Sequence, residues 1–153
     1  MIGLGFWRSV FEPDLPDPAW FVDPEWDARE RRKVLEHLRR GQQVLSWMGY
    51  SWCRFRCGAT ETAMGAADLS DGTYLWPEGL VHYVEAHAVR PPHAFVAHVL
   101  NGAPQVAVPE RAATNTSLLW WGAQRGWGPV PRTFLAETDE ELLRFKQRVA
   151  RGL

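Results

Sequence analysis

Apolar positions recur at helical spacing in some stretches of the chain and alternate or disappear in others, and this pattern divides it into elements. Between residues 28 and 40, Val34, Leu35 and Leu38 form a narrow apolar stripe opposite a heavily charged face, as in a helix lying on a core. Two starts compete for it. Asp23 precedes Pro24, and proline is tolerated at a first helical position, whereas Asp27 has Glu30 three residues on, a capping-box spacing. Gly41 is the expected stop after Arg40. Residues 43–47 read as a short strand, residues 49–58 as a turn-rich segment, and residues 59–70, without a clear period, as a loop. Asp71-Gly72 is a strong turn signal and residues 73–76 suit a strand, so 43–47 and 73–76 flank a hairpin or meander.

Pro77 opens a helix running to about Ala88, with Leu80, Val84, His87 and Ala88 on one face. Pro91-Pro92 breaks the chain and restarts it in a helix over residues 92–100, which Asn101-Gly102 stops. Residues 103–131, rich in Pro and Gly and holding Trp120, Trp121 and Trp127, show the least pattern. Beyond them, residues 131–136 suit a strand. Thr138 with Glu141 caps a final helix seamed by Leu142, Phe145 and Val149.

These elements predict an α+β fold: a small, mainly antiparallel sheet packed with about four helices and joined by long loops. The length of 153 residues suits one domain. Residues 1–26 are its extended N-terminal arm, 43–100 its central part, and 103–153 a loop-rich region ending in a helix. Aromatics Trp20, Phe21 and Trp26 would pin the arm, which is otherwise rich in Pro and Asp.

Composition changes this picture in two places. Nine tryptophans exceed what a core of this size needs, so part of them is expected to line a pocket or a partner surface. The net charge of −1 provides no global field for nucleic acid or an anionic membrane, but it is unevenly spread. Residues 1–27 carry Arg8 against Glu12, Asp14, Asp17, Asp23, Glu25 and Asp27, whereas residues 28–56 carry eight basic residues against Glu30 and Glu36. An acidic arm followed by a basic helix predicts that the two lie together. No apolar run approaches the roughly 20 residues of a bilayer span, and the N-terminus lacks the basic start and apolar stretch of a signal peptide. Two cysteines do not make a disulfide scaffold. A cytoplasmic location is therefore expected, with a protein or small molecule as partner rather than nucleic acid or membrane.

Candidate chemistry concentrates between Cys53 and His87. Cys53 and Cys57 have three residues between them and are followed by Gly58; downstream lie His82 and His87, with four residues between them. Zinc takes four thiolate or imidazole ligands in a tetrahedron, commonly as two close pairs from different elements. Cys53, Cys57, His82 and His87 are accordingly the candidate zinc ligands. The 24 residues between the pairs exceed the spacing of a standard finger. Side chains five apart on a helix also point about 140° away from each other, so the histidines can share a metal only where the helix ends or bends. Glu78, His82 and Glu85 fall on one helical face, with His93 and His98 on the next helix, as substitutes. The competing reading is a buried cysteine and a hydrogen-bonded core histidine at His87. The His82–His87 stretch matches neither the metalloprotease motif nor its inverse, and nucleotide-binding glycine motifs and the hydrolase nucleophile elbow are missing.

The run Asp71-Gly72-Thr73-Tyr74-Leu75-Trp76-Pro77-Glu78-Gly79-Leu80-Val81-His82-Tyr83-Val84-Glu85-Ala86-His87 resembles the signature stretch of a largely uncharacterised bacterial protein family. The cysteine turn before it and the Pro-Pro-x-x-Phe-Val-x-His stretch after it resemble that family too, from about Tyr50 to Leu100. The resemblance implies that this stretch is the family's defining core, and brings no activity or ligand set with it. Three functions are thus in competition. The first is a binding or interaction protein with a structural zinc tying the cysteine turn to the following helix. The second is an enzyme using Glu78, His82 and Glu85 as acid/base groups. The third is a nucleic-acid binder using the basic helix and the tryptophan-rich loop.

Overall fold

The computed structural model describes residues 1–9 and 12–127. In chain order its elements are β1 (Ile2–Gly3), α1 (Ala28–Arg39), β2 (Gln42–Ser46), α2 (Glu61–Met64), β3 (Ala67–Ser70), β4 (Tyr74–Pro77), α3 (Leu80–His87), α4 (His93–Leu100), α5 (Glu110–Ala113) and α6 (Leu119–Gly122), with a 3-10 turn at Pro18–Phe21. The sheet runs β1-β4-β3-β2: β2, β3 and β4 form an antiparallel meander, and β1 joins β4 in parallel. The fold is α+β and its sheet mostly antiparallel, as the pattern predicts. Among the described residues six α-helices stand where the whole chain is expected to hold about four, because α2, α5 and α6 are single turns, too short to leave a periodic apolar signal. The strand at 131–136 and the helix through Leu142, Phe145 and Val149 lie outside the described residues.

Of the two starts proposed for α1, Asp27 is the one used: its carboxylate accepts hydrogen bonds from the N–H groups of Arg29 and Glu30. Glu30 does not close the box; its carboxylate accepts the indole N–H of Trp26. Gly41 follows the helix, but a β-carbon there would overlap the Trp76 ring, so its role is close approach to the sheet.

Residues 59–70, expected as a loop, contain α2 and the whole of β3. Ala-Asp-Leu-Ser has low strand propensity; it is extended because it lies between β2 and β4 and pairs with both. The helix expected to open at Pro77 starts at Leu80, since Pro77 pairs with Asp68 and belongs to β4. At the turn between β3 and β4, Asp71 Oδ1 accepts the N–H groups of Thr73 and Tyr74 while Gly72 takes a φ of 98°.

Helix α1 packs against both α3 and α4 over one face of the sheet. Val34, Leu38, Trp76, Leu80, Val84, Phe95 and Val96 are all at most 2% exposed in this core, and each contributes roughly 1.5–3 kcal/mol by leaving water. Trp7, Phe21 and Trp121 form a ring cluster that ties the N-terminal arm to α6. Trp121, at 1% exposure, is thus an anchor of the tryptophan-rich loop rather than a ligand face. Among the described residues, Asp23 of the arm bonds Arg90, whereas α1 turns Arg31 and Arg39 onto α3.

Candidate metal centre

The cysteine turn is built by local backbone geometry. Arg56 N–H donates to the Cys53 carbonyl, Arg56 sits in the left-handed region at φ 50°, and Gly58 follows at φ 78°. These two positions fold the chain so that both cysteines face α3. The Arg54 N–H donates to the Tyr83 hydroxyl at 2.8 Å, which fastens the turn to the middle of that helix.

The end of α3 solves the problem posed by the histidine spacing. Ala88 is left-handed at φ 52°, and its N–H reaches back five residues to the Tyr83 carbonyl; the N–H of Val89 reaches the same oxygen from six. An ordinary helix bonds four residues back, so this last turn is widened and brings His87 round toward His82. The Phe55 ring stacks on His87 with centroids 4.3 Å apart and holds the imidazole from the other side.

The consequence is a four-ligand cluster. One ligand atom from each of Cys53, Cys57, His82 and His87 lies within 4.8 Å of every other, a group that could hold a metal ion. Cys53 Sγ is 3.3 Å from His87 Nε2, Cys57 Sγ is 3.4 Å from His82 Nε2, and the two Nε2 atoms are 3.2 Å apart. Zn–S and Zn–N bonds arranged tetrahedrally give edges of about 3.6 Å between sulfur and nitrogen and about 3.3 Å between nitrogens. The observed separations are close to that shape. Cys53 is buried and Cys57 exposed, and no disulfide joins them. Burial lowers the pKa of both histidines, with the neighbouring His82 adding to the effect at His87, and so favours the neutral, ligating form. Burial pushes the Cys53 thiol up, and Cys57 beside it adds to this. A buried Cys53 thiol that resists ionisation, with a second cysteine and two imidazoles beside it, is what a divalent cation would relieve.

The substitute ligands go elsewhere. Glu78 precedes α3 and its carboxylate accepts the Ala66 N–H at 3.0 Å; Glu85 is exposed and pairs with Arg39 of α1 at 2.6 Å. Neither hydrogen-bonds His82 among the described residues, although the Glu85 charge reaches it. His93 is exposed at the start of α4.

His98 belongs to a second cluster, which the sequence pattern does not single out. Its Nε2 and that of His37 each lie 2.8 Å from the same oxygen of Asp71, which is fully buried. Burial alone would raise the Asp71 pKa, but hydrogen bonds from His37, the Tyr74 N–H, His98 and the Thr73 N–H outweigh it and hold it down at about 2. An ionised carboxylate can only accept, so both imidazoles donate from Nε2. The His37 Nδ1 then accepts from the Gln105 amide, 3.4 Å away. A nitrogen–oxygen separation of 2.8 Å is a hydrogen bond and shorter than the tetrahedral edge of about 3.3 Å expected around zinc. His37 on the α1 stripe, Asp71 at a turn and His98 on α4 are separated in sequence, and no spacing rule connects them.

Comparison with protein-family models, with curated proteins and with solved structures gives no match for this chain. Among the described residues, no helix is long and apolar enough to cross a membrane.

Proposed function

We propose that this chain is a non-enzymatic binding protein whose central part is clamped by a structural zinc ion through Cys53, Cys57, His82 and His87. The observation that carries the reading is the convergence of four ligand atoms from a turn and a helix at separations close to tetrahedral edges. With four protein ligands the ion has no open position for water or substrate, which makes its role structural rather than catalytic. It would tie the 53–57 turn to α3, and much of its binding free energy would appear as folding stability. The engagement of Glu78 and Glu85 in structural contacts supports the same reading against an acid/base enzyme. On this reading the stretch that resembles a bacterial family signature is the part organised around the metal.

Elemental analysis of protein purified without added metal tests it. One zinc per chain is expected, lost together with folding when Cys53 or Cys57 becomes Ser. Metal-free protein with undiminished thermal stability overturns it.

A further inference from the structure

The two faces of the sheet are covered unequally. On the face away from the main core, Val44, Leu75, Val108 and Ala113 form a small second core, and this cover stops short of the end of the sheet that carries Asp68. There the surface opens into a cleft of about 340 Å³ lined by Phe6, Trp47, Tyr50, Met64, Asp68 and Pro77, among others. This volume lies within the range of small-molecule sites.

Two features of the cleft are unfavourable as they stand. Asp68 is only 3% exposed, yet no cationic side chain among the described residues pairs with it; its Oδ2 accepts only the Trp47 indole N–H at 3.0 Å. Burial raises its pKa to about 6 against the lowering effect of that hydrogen bond, the mark of a carboxylate short of a counter-charge. At the same time Trp47 is 59% exposed and Tyr50 55%, leaving two large aromatic rings in water at the rim. One class of ligand relieves both: a cation supplies the missing charge, and aromatic faces attract it through the ring quadrupole.

We propose that this cleft binds a small organic cation, a primary or quaternary alkylammonium group, with Asp68 as its counter-ion and Trp47 and Tyr50 as aromatic walls. The site is separate from the zinc centre, although the wall at residues 47–52 runs directly into Cys53 and is steadied by whatever fixes that turn.

The test is isothermal titration calorimetry on the full-length protein at low salt, with choline, butylammonium and the neutral choline analogue 3,3-dimethylbutan-1-ol as probes. Saturable binding of either ammonium is expected, with the alcohol about tenfold weaker or worse. Asp68→Asn should weaken the cation by about tenfold or more, and the exposed Tyr50→Ala, which leaves the fold alone, by about threefold or more. No saturable binding of either cation up to about 10 mM, equal binding of the alcohol, or unchanged affinity in both variants overturns the proposal. Zinc content measured on the same samples separates the two readings. A chain with one zinc and no ammonium affinity removes this inference alone, and a metal-free chain that binds ammonium removes the zinc clamp alone.

Discussion

The Cys53–Cys57–His82–His87 cluster and the His37–Asp71–His98 cluster use the same imidazole nitrogens in opposite ways. In the first, one ligand atom from each of two cysteines and two histidines lies within 4.8 Å of every other. In the second, a buried carboxylate receives two imidazole N–H groups on one oxygen and two backbone N–H groups on the other, so donors and acceptors already match. Converging ligand atoms could hold a cation. A complementary set of donors and acceptors closes on itself. The separations say the same: 3.2 to 3.4 Å around the first cluster and 2.8 Å within the second.

The hardest test of this contrast is metal removal. A structural zinc contributes on the order of 10 kcal/mol, so a strong chelator should abolish the cooperative melt followed by circular dichroism. Asp71→Asn should keep one zinc per chain by elemental analysis. Loss of zinc from Asp71→Asn, or an unchanged melt after chelation, would reverse the assignment of the two clusters.

Next in size is the cost of that same substitution. Replacing the carboxylate by an amide sets an N–H₂ group against existing donors inside the core, and urea denaturation should show a loss of about 3–5 kcal/mol. A loss below about 1 kcal/mol would mean that the network is not closed in the way described.

The pH dependence of stability should separate Asp71 from Asp68, its neighbour on the same hairpin. Asp68, at about 6 when folded, holds a proton that the unfolded chain has already released above its ordinary 3.8. Its contribution therefore makes the protein less stable as pH rises from 4 to 6, by roughly 3 kcal/mol in total. Asp71, at about 2 when folded, behaves in the opposite way. Its contribution of roughly 2–3 kcal/mol is present above pH 4 and lost as pH falls toward 2. Urea midpoints of the wild type against Asp68→Asn and Asp71→Asn, read across both windows, check the two signs; equal slopes in wild type and variant would refute the assignment.

The smallest effect is expected at Glu85. Its pair with Arg39 is about half exposed on both sides, so Glu85→Gln should change stability by less than about 0.5 kcal/mol. Zinc content should stay at one per chain. A loss of metal there would place Glu85 in the ligand shell after all.

The legibility of the two clusters differs for a plain reason. Cys53 and Cys57 sit close together in sequence, as do His82 and His87, and paired spacing is what a metal demands of short segments. The network joins residues 37, 71 and 98, whose types are common and whose separations carry no rule. Asp71 is visible in the sequence as a turn residue, and its turn is there; its second oxygen is free to act in the core only because α1 and α4 cross behind the hairpin. Asp68 is hidden for a similar reason, because nothing local makes Ala-Asp-Leu-Ser a strand.

The sequence by itself determined the periodic elements α1, α3 and α4, the Asp71-Gly72 turn, and the four residues able to ligate a metal. These follow from spacing and from local hydrogen-bonding chemistry, which a short segment expresses alone. Tertiary structure decided the rest. It made a strand of 67–70 by giving it two partners, put Gly41 under Trp76, and widened the last turn of α3 so that His82 and His87 meet. It also buried two aspartates of one hairpin in environments that drive their protons in opposite directions. Each of these depends on what lies across from a residue, and a chain specifies that only when its distant parts are packed together.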